Sequence, residues 1–480
     1  MKDKGLRLLI IGAGKAGELL AESIAKMRGS HLVVVGFVDD DPAKQSNKIA
    51  GKAVLGTIAE LGDVVREHDI EELVIAIPSE RGVVVREIIN ATIGMKLSYK
   101  ILPRDSEVLL QDFNKDYVKY LRKVRPEDLL GGEIITTDKE SISSFAKGKT
   151  VLITGAAGSI GSELSRQIAA HGAKKVIYYD WWENGMFDLR NHLLEVQPDG
   201  DYEFIIGDIK DRKKLDVIMA QYKPDAIFHA AAYKHVPLME SNPAEAIKNN
   251  IFGTKTVAEL AIKHEVSKFV LVSTDKAVNP TNIMGATKRA AEKIIHILAN
   301  SQNKTVFSAV RFGNVINSNG SAIPFFQKQI AKGGPVTVTH KEITRFFMTI
   351  PEAVHLILLS WTIGENNDLF VLDMGEPVKI YDLAKTLIAL EGYVPDDDIP
   401  IKIIGLRPGE KLYEEVLVEE EGSVATSINK VFRTQNYMSF DPALLLVRIE
   451  ALLSDIEDRT PRDISKAMKK IVSTYHPTVE

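Results

Sequence analysis

The chain has 480 residues, of which 45% are hydrophobic and 26% charged, with a net charge of −5 and no cysteine. That composition describes a globular protein long enough for two or three domains; it excludes disulfides, thiolate metal sites and cysteine nucleophiles, and the scattered basic residues offer no broad surface for nucleic acid. No apolar run approaches the roughly 20 residues needed to cross a bilayer, and Lys2, Asp3 and Lys4 break any signal-peptide pattern, so the chain as given reads as cytoplasmic.

The first strand is read over 8–11, running into Gly12-Ala13-Gly14-Lys15-Ala16-Gly17 and an amphipathic helix near 18–27. A second strand over 32–38 ends at Asp39, about where a carboxylate meets a ribose in the dinucleotide fingerprint. A third over 72–77 closes a half-fold. The glycines admit backbone amides and a helix amino terminus to phosphate, but a lone G-x-G-x-x-G serves equally as a structural or vestigial fold. Residues 1–112 are therefore expected to form a Rossmann-like domain of nucleotide-binding type, with no chemistry assigned to it. Residues 113–147 read as a connector, in which 125–130 starts a turn and Gly131-Gly132 interrupts the pattern.

The second module, 148–480, opens with a buried-strand pattern over 149–154 that runs into Gly155-Ala156-Ala157-Gly158-Ser159-Ile160-Gly161. The next strand, 175–179, ends at Asp180, whose charge suits adenosine ribose hydroxyls and repels a 2′-phosphate, which favours NAD over NADP. Strand patterns follow at Phe204-Ile205-Ile206-Gly207-Asp208-Ile209 and Ala226-Ile227-Phe228-His229-Ala230-Ala231-Ala232. A further apolar strand, 269–272, delivers Ser273-Thr274-Asp275-Lys276 to the carboxyl edge of the sheet, and a helix then carries Met284-Gly285-Ala286-Thr287-Lys288.

This ordered set resembles the extended short-chain dehydrogenases. The expected fold is α/β, two tandem Rossmann-like doubly wound parallel sheets, the second with a smaller substrate-binding subdomain near 315–435. The resemblance implies that Gly155, Gly158, Ser159, Ile160 and Gly161 wrap a cofactor pyrophosphate, that Asp208 and Ile209 meet adenine, and that Ala230, Ala231 and Ala232 leave room for the cofactor. Further motifs, Tyr233-Lys234-His235, Asn249-Asn250, Arg311-Phe312-Gly313-Asn314, Thr344-Arg345-Phe346 and Arg407-Pro408-Gly409-Glu410-Lys411, are similar to the bacterial polysaccharide-biosynthesis subgroup, specifically to non-inverting UDP-N-acetylglucosamine 4,6-dehydratases with methionine where other members have tyrosine. That methionine is Met284. Relatives of this long type carry membrane helices ahead of the first nucleotide fold, which would put the enzyme at the inner face of the membrane, and the family implies homo-oligomers.

A thioether cannot exchange protons, so the acid–base work must lie elsewhere. Dehydration needs hydride removed from C4 and returned to C6, a base for the acidified C5 proton, an acid for the C6 oxygen, and polarisation of O4. Lys276 is the expected base, provided that burial and a neighbouring cation lower its pKa; Asp275 is the expected acid; Thr274 is expected on O4, passing its proton toward a cofactor ribose hydroxyl or water. Lys288, one helical turn beyond Met284, takes the family role of bonding the nicotinamide ribose, and Met284 is expected to line the sugar pocket. On the substrate side, Arg345, Arg407 and Lys411 suit a diphosphate and Glu410 a ribose hydroxyl, with Lys234 and Asn314 carried by their motifs. His229 and His235 read as structural. A UDP-sugar 4-epimerase and a catalytically silent cofactor or sugar-nucleotide sensor are the alternatives.

Overall fold

The computed structural model describes residues 5–27, 31–78, 82–103, 117–130, 139–417, 421–435 and 440–477. The chain divides into two compact units, Met1–Glu133 with Ser321–Glu342 and Val378–Ile404, and Ile134–Gly320 with Ile343–Pro377 and Gly405–Glu480. The division is not sequential, because two segments from the region expected to form the substrate-binding subdomain belong to the first unit.

In the first unit, strands β1 (Leu6–Ile11), β2 (Leu32–Val38), β3 (Glu72–Ile75), β4 (Ser98–Ile101) and β5 (Arg122–Lys123) form one sheet in the order β2-β1-β3-β4-β5. All neighbours are parallel except β4 and β5. Helix α1 (Lys15–Lys26) packs Leu19, Leu20 and Ile24 against Leu8, Ile10 and Phe37, the apolar stripe of an amphipathic helix meeting a buried strand. Asp39, just past β2, accepts a hydrogen bond from the Ala13 amide at 2.7 Å and pairs with Lys44 at 3.0 Å. The expected turn at 125–130 is instead a short helix, Pro126–Leu130, with Glu127 and Asp128 in its first turn. Proline at a first helical position and acids at the positive end explain the difference. Gly131 and Gly132 lie outside the described residues.

The second unit is built on a sheet of β6 (Thr150–Thr154), β7 (Lys175–Asp180), β8 (Tyr202–Ile206), β9 (Ala226–His229), β10 (Lys268–Val272), β11 (Val306–Arg311), β12 (Asp368–Leu372), β13 (Ser423–Ala425) and β14 (Val431–Thr434), ordered β8-β7-β6-β9-β10-β11-β12-β14-β13. The first seven in that order run parallel and the last two are antiparallel additions. Strand order reverses between β6 and β9, and the carboxyl ends of strands at such a switch point are where open α/β sheets bind ligands. Helix α2 (Ser159–Ala170) follows β6, and α3 (Ile283–Ser301) follows the turn beyond β10.

One polar cluster is fully buried in this unit. Arg289 and Glu292 of α3, Arg311 of β11, and Glu421 are each at most 1% exposed. Arg311 Nε and Nη2 donate to Glu292 at 2.8 and 2.7 Å, while its Nη1 donates to Glu421 at 2.7 Å. Arg289 Nη1 donates to Glu292 at 2.9 Å, and its Nη2 lies 2.7 Å from Glu421. Ser273, one residue past β10, donates to Glu292 at 2.6 Å. Burial alone would raise the Glu292 pKa; Arg311 and Arg289 outweigh it and hold the carboxyl down at about 2.

Replacing Glu292 by Gln leaves two buried guanidiniums facing one carboxylate and is expected to cost about 3–5 kcal/mol, read from urea unfolding of the second unit. Because the folded-state pKa is depressed, the wild-type advantage is present above the ordinary carboxylate range and fades as pH falls toward 2; a pH-independent difference would refute the ionic account.

Candidate active site

The loop after β6 is shaped by missing side chains. Gly155 adopts φ +72°, and a Cβ there would lie 2.5 Å from the Ala231 amide nitrogen. A Cβ on Gly161 would sit 1.9 Å from the Gly155 carbonyl oxygen. The loop therefore lies against the backbone after β9, where Ala230 donates its amide to Thr154 at 3.0 Å. Gly158 caps α2 without a side chain, so the helix amino terminus stays approachable by phosphate. Asp180, buried at the end of β7, accepts from the Ala157 amide at 3.0 Å and the Trp182 amide at 2.9 Å. Burial raises its pKa against these bonds. Asp180 thus ties the glycine loop to the β7 turn, with acceptor capacity left over for a ligand hydroxyl.

These features fit a dinucleotide: a helix terminus for the pyrophosphate, a carboxylate at the ribose distance, and small residues where the backbone must come close. One expected contact differs. Ile209 is only 4% exposed, within an apolar cluster with Leu215 and Leu271, where a Cβ on Gly253 would touch it; it serves packing. Asp208 pairs with Lys210 at 2.9 Å and accepts that residue's amide at 2.8 Å. His229 is fully buried between Thr154 (2.7 Å) and Thr254 (2.9 Å), and burial, aided by Lys288, lowers its pKa to about 3. It is a neutral structural bridge, as expected.

The turn beyond β10 holds the acid–base groups. Ser273 and Asp275 donate their amides to Val310 and Phe312 at 2.8 and 2.9 Å, so the strand path continues beside β11 before a single 3₁₀ turn, Asp275–Ala277. Asp275 is fully buried, and its Oδ1 accepts from Thr274 Oγ1 at 2.9 Å and from Lys276 Nζ at 2.9 Å. Lys276 also donates to Asn314 Oδ1 at 2.9 Å and lies 3.8 Å from Glu414 Oε1. The same Glu414 oxygen lies 3.8 Å from Arg345 Nε, and Arg345 Nη2 is 3.4 Å from Glu410. The structure therefore brings Thr274, Asp275, Lys276 and Asn314 into direct contact and links them to Arg345 and Glu410 through Glu414.

One expectation is reversed. Burial would lower the Lys276 pKa, but Asp275 and Glu414 prevail and raise it, so the ligand-free protein holds Lys276 as an ammonium. The depressed amine is Lys288, whose pKa burial lowers to about 8, with its Nζ donating to the Val272 carbonyl at 2.7 Å. Met284 is buried at 3% exposure in an apolar cluster with Met239, Ala246, Ile247 and Ile251, so it packs the underside of the first turn of α3. Lys411 donates to the Val278 carbonyl at 3.0 Å, Arg407 is exposed, and Lys234 is exposed with its pKa lowered by partial burial and by Lys276.

Three residues escaped sequence reasoning. Glu414 lies one helix-like step beyond Glu410 in a motif read only to Lys411. Asn250 accepts from the Tyr233 amide at 2.8 Å and donates to the Tyr233 carbonyl and Thr287 Oγ1, each at 3.0 Å, which pins the loop after β9 to α3. Glu240 accepts the Ile283 amide at 2.6 Å at the start of α3. Asn250 stood in a quoted motif and Glu240 a few residues beyond another, but no spacing rule marks a side chain that fastens one loop to one helix.

A parallel sheet with a glycine loop at its switch point, followed by a Thr-Asp-Lys turn beside a helix carrying a buried lysine, is the Rossmann-like architecture of the short-chain dehydrogenase fold. A family model described as polysaccharide biosynthesis protein matches residues 151–436, and one described as CoA-binding domain matches residues 1–93. The probable polysaccharide biosynthesis protein EpsC of Bacillus subtilis is 47% identical, covering 86% of this chain and 69% of its own length. The chain belongs to the polysaccharide biosynthesis protein family. It is also 34% identical to a UDP-N-acetylglucosamine 4,6-dehydratase (inverting) of Campylobacter jejuni, over 63% of this chain and 86% of that protein, and 38% identical to a UDP-glucose 4-epimerase of Rickettsia canadensis, over 59% and 82%. Among the described residues no helix is long and apolar enough to cross a membrane.

Adding a methyl at Gly161 drives the Gly155 carbonyl out of place. Gly161→Ala is expected to cost about 1–3 kcal/mol of dinucleotide binding, about ten- to hundredfold in Kd. Titration with NAD measures this, and an unchanged Kd would show that the loop is not the pyrophosphate cradle.

Proposed function

We propose that the protein is an NAD-dependent UDP-N-acetylglucosamine 4,6-dehydratase, a lyase that forms the 4-keto-6-deoxy sugar with retained configuration at C5 for bacterial surface polysaccharide or glycoprotein glycan assembly. In this reading residues 148–480 carry the reaction, 1–112 form a nucleotide-binding-type domain joined to them through 113–147, and the enzyme works as a homo-oligomer in the cytoplasm. The observation that carries the reading is the buried 2.9 Å contact between Lys276 and Asp275 in a site whose usual tyrosine position is apolar. NAD, held by Gly155, Gly158, Ser159, Ile160, Gly161, Asp180, Asp208, Ala230–Ala232 and Lys288, would supply the hydride acceptor for C4 and the hydride donor for C6.

The residues then divide the proton work. Thr274 hydrogen-bonds O4 and already donates to Asp275 at 2.9 Å, so as it takes the O4 proton its own passes to Asp275. Neutral Asp275 no longer holds the Lys276 ammonium, which sheds its proton to solvent and becomes the base for C5. Asp275, now the acid, protonates the departing C6 oxygen as water, and Lys276 returns a proton to C5 when C6 is reduced. The carboxylate is thereby restored, the amine recovers its proton from solvent, and the O4 proton leaves in the water. Arg345, Arg407 and Lys411 serve the diphosphate, Glu410 a ribose hydroxyl, and Lys234 and Asn314 the sugar side.

The 38% identity to a UDP-glucose 4-epimerase supports the second reading. An epimerase needs no acid–base pair at C5 and C6, and against it stand the Asp275–Lys276 contact and the buried Met284. Incubation with UDP-N-acetylglucosamine followed by mass spectrometry separates the two: loss of one water is expected, whereas an isomer of unchanged mass would establish epimerisation and no turnover a silent sensor. In deuterated solvent, Lys276→Ala is expected to lose exchange at C5 while still binding NAD, and undiminished exchange would remove Lys276 as the base.

A further inference from the structure

Glu414 belongs to no expected set of site residues, yet it stands at the centre of the charged groups. Its side chain is 4% exposed, and its Oε1 lies 3.8 Å from both Lys276 Nζ and Arg345 Nε. Its second oxygen, Oε2, is buried and accepts no hydrogen bond, a state it shares with Oδ2 of Asp275. A buried carboxylate that leaves half its acceptors unused needs a reason. The two cations it faces supply one: without Glu414, the enclosed Lys276 and Arg345 would repel each other across a poorly screened space.

The two carboxylates around Lys276 do not have equivalent partners. Asp275 is bonded by Thr274 and accepts the short bond from Lys276, so it is the one that can exchange a proton with the substrate side. Glu414 has no hydroxyl neighbour among the described residues' hydrogen bonds and faces only guanidinium and ammonium. When Asp275 becomes neutral, Glu414 is the charge that remains on Lys276.

We propose that Glu414 is a positioning residue of the reaction, holding the Lys276 amine and the Arg345 guanidinium to one carboxylate so that Lys276 stays beside Asn314 when Asp275 gives up its charge. This rests on the reading of Lys276 as the C5 base. Glu414 also sets how readily the ammonium yields its proton, because it opposes the effect of burial. Its cost in free-amine population secures placement, and placement within a fraction of an ångström governs proton transfer.

The test reads Lys276 directly. Pulse labelling with acetic anhydride across a pH series, with peptide mapping by mass spectrometry, gives the pH midpoint at which each lysine becomes a free amine. In Glu414→Gln the Lys276 midpoint is expected to fall by about one pH unit relative to wild type, the midpoint of Lys288 to stay in place, and the acid limb of C5 exchange to move down with Lys276 while the maximal rate drops. Far-UV circular dichroism checks that the variant is folded; if Glu414→Gln does not fold, Glu414→Asp withdraws the carboxylate by one methylene and is expected to shift the midpoint in the same direction by less. A Lys276 midpoint that does not move in a folded variant overturns the role of Glu414 and leaves the dehydratase reading intact. Persistent C5 exchange in Lys276→Ala overturns that reading instead, whatever the midpoint does.

Discussion

The second unit depends on a neutral quartet of two arginines and two glutamates enclosed behind the turn that carries Asp275 and Lys276. Each guanidinium faces both carboxylates, and the four charges cancel, which is the condition under which ions tolerate burial. The quartet gathers α3, β11 and the segment at Glu421, and through Ser273 it reaches the residue that precedes Thr274. Apolar side chains of equal volume could fill that space, but they could not fix the direction of a hydroxyl at a strand end. The quartet therefore sets where β10 stops and where the 3₁₀ turn with Asp275 and Lys276 begins. Lys288, on the same helix one turn before Glu292, is fastened to the Val272 carbonyl, so two consecutive residues at the entrance to the turn are tied to α3.

The other half of the site follows from strand order. Because β6 and β9 neighbour each other while their connections leave in opposite directions, the loops after them separate and open a crevice at the carboxyl edge. The glycines then set how narrow that crevice is. A side chain at 155 would strike the backbone of Ala231, and one at 161 would strike the loop itself. Asp180 completes the edge by accepting amides from both the loop and the following turn, so one carboxylate shapes the cradle and offers its remaining lone pairs to a ligand.

Much of this was legible because period and spacing are local. The strands read at 32–38, 149–154 and 175–179, the glycine loop, and the lysine four residues after Met284 all follow from patterns within one element. The class of the sheet follows from their order. Three kinds of feature were not legible. The two insertions that count with the first unit are joined by contacts between residues distant in sequence. The short helix at Pro126–Leu130 was masked by a proline read as a turn signal, although the same proline begins a helix when acids follow it. Ile209, next to Asp208, was taken with its neighbour as a ligand contact, but the two open a turn past the strand end, closed by the Asp211 amide on the Asp208 carbonyl, and the Ile209 side chain lies in the core.

The reversal at Lys276 carries the most chemistry. From composition and position alone, a lysine in an enclosed site is expected to lose its charge, because desolvation penalises the ammonium. Two carboxylates overturn that here, and one of them, Glu414, comes from a segment 138 residues away in sequence, too far for any spacing rule to pair them. The result is a lysine held as an ammonium, which in the proposed reaction is freed as the base only after its partner is neutralised. A tyrosine on α3, as the tyrosinate, would take the O4 proton itself and make the order of events indifferent to the turn. With Met284 packed into the apolar cluster instead, the proposed route passes the first proton through Thr274 to Asp275. In the proposed dehydration the step that oxidises C4 is also the step that frees the amine for C5, so elimination would not precede oxidation. An order imposed in this way protects the sugar from abstraction at C5 before the neighbouring ketone has made that hydrogen acidic.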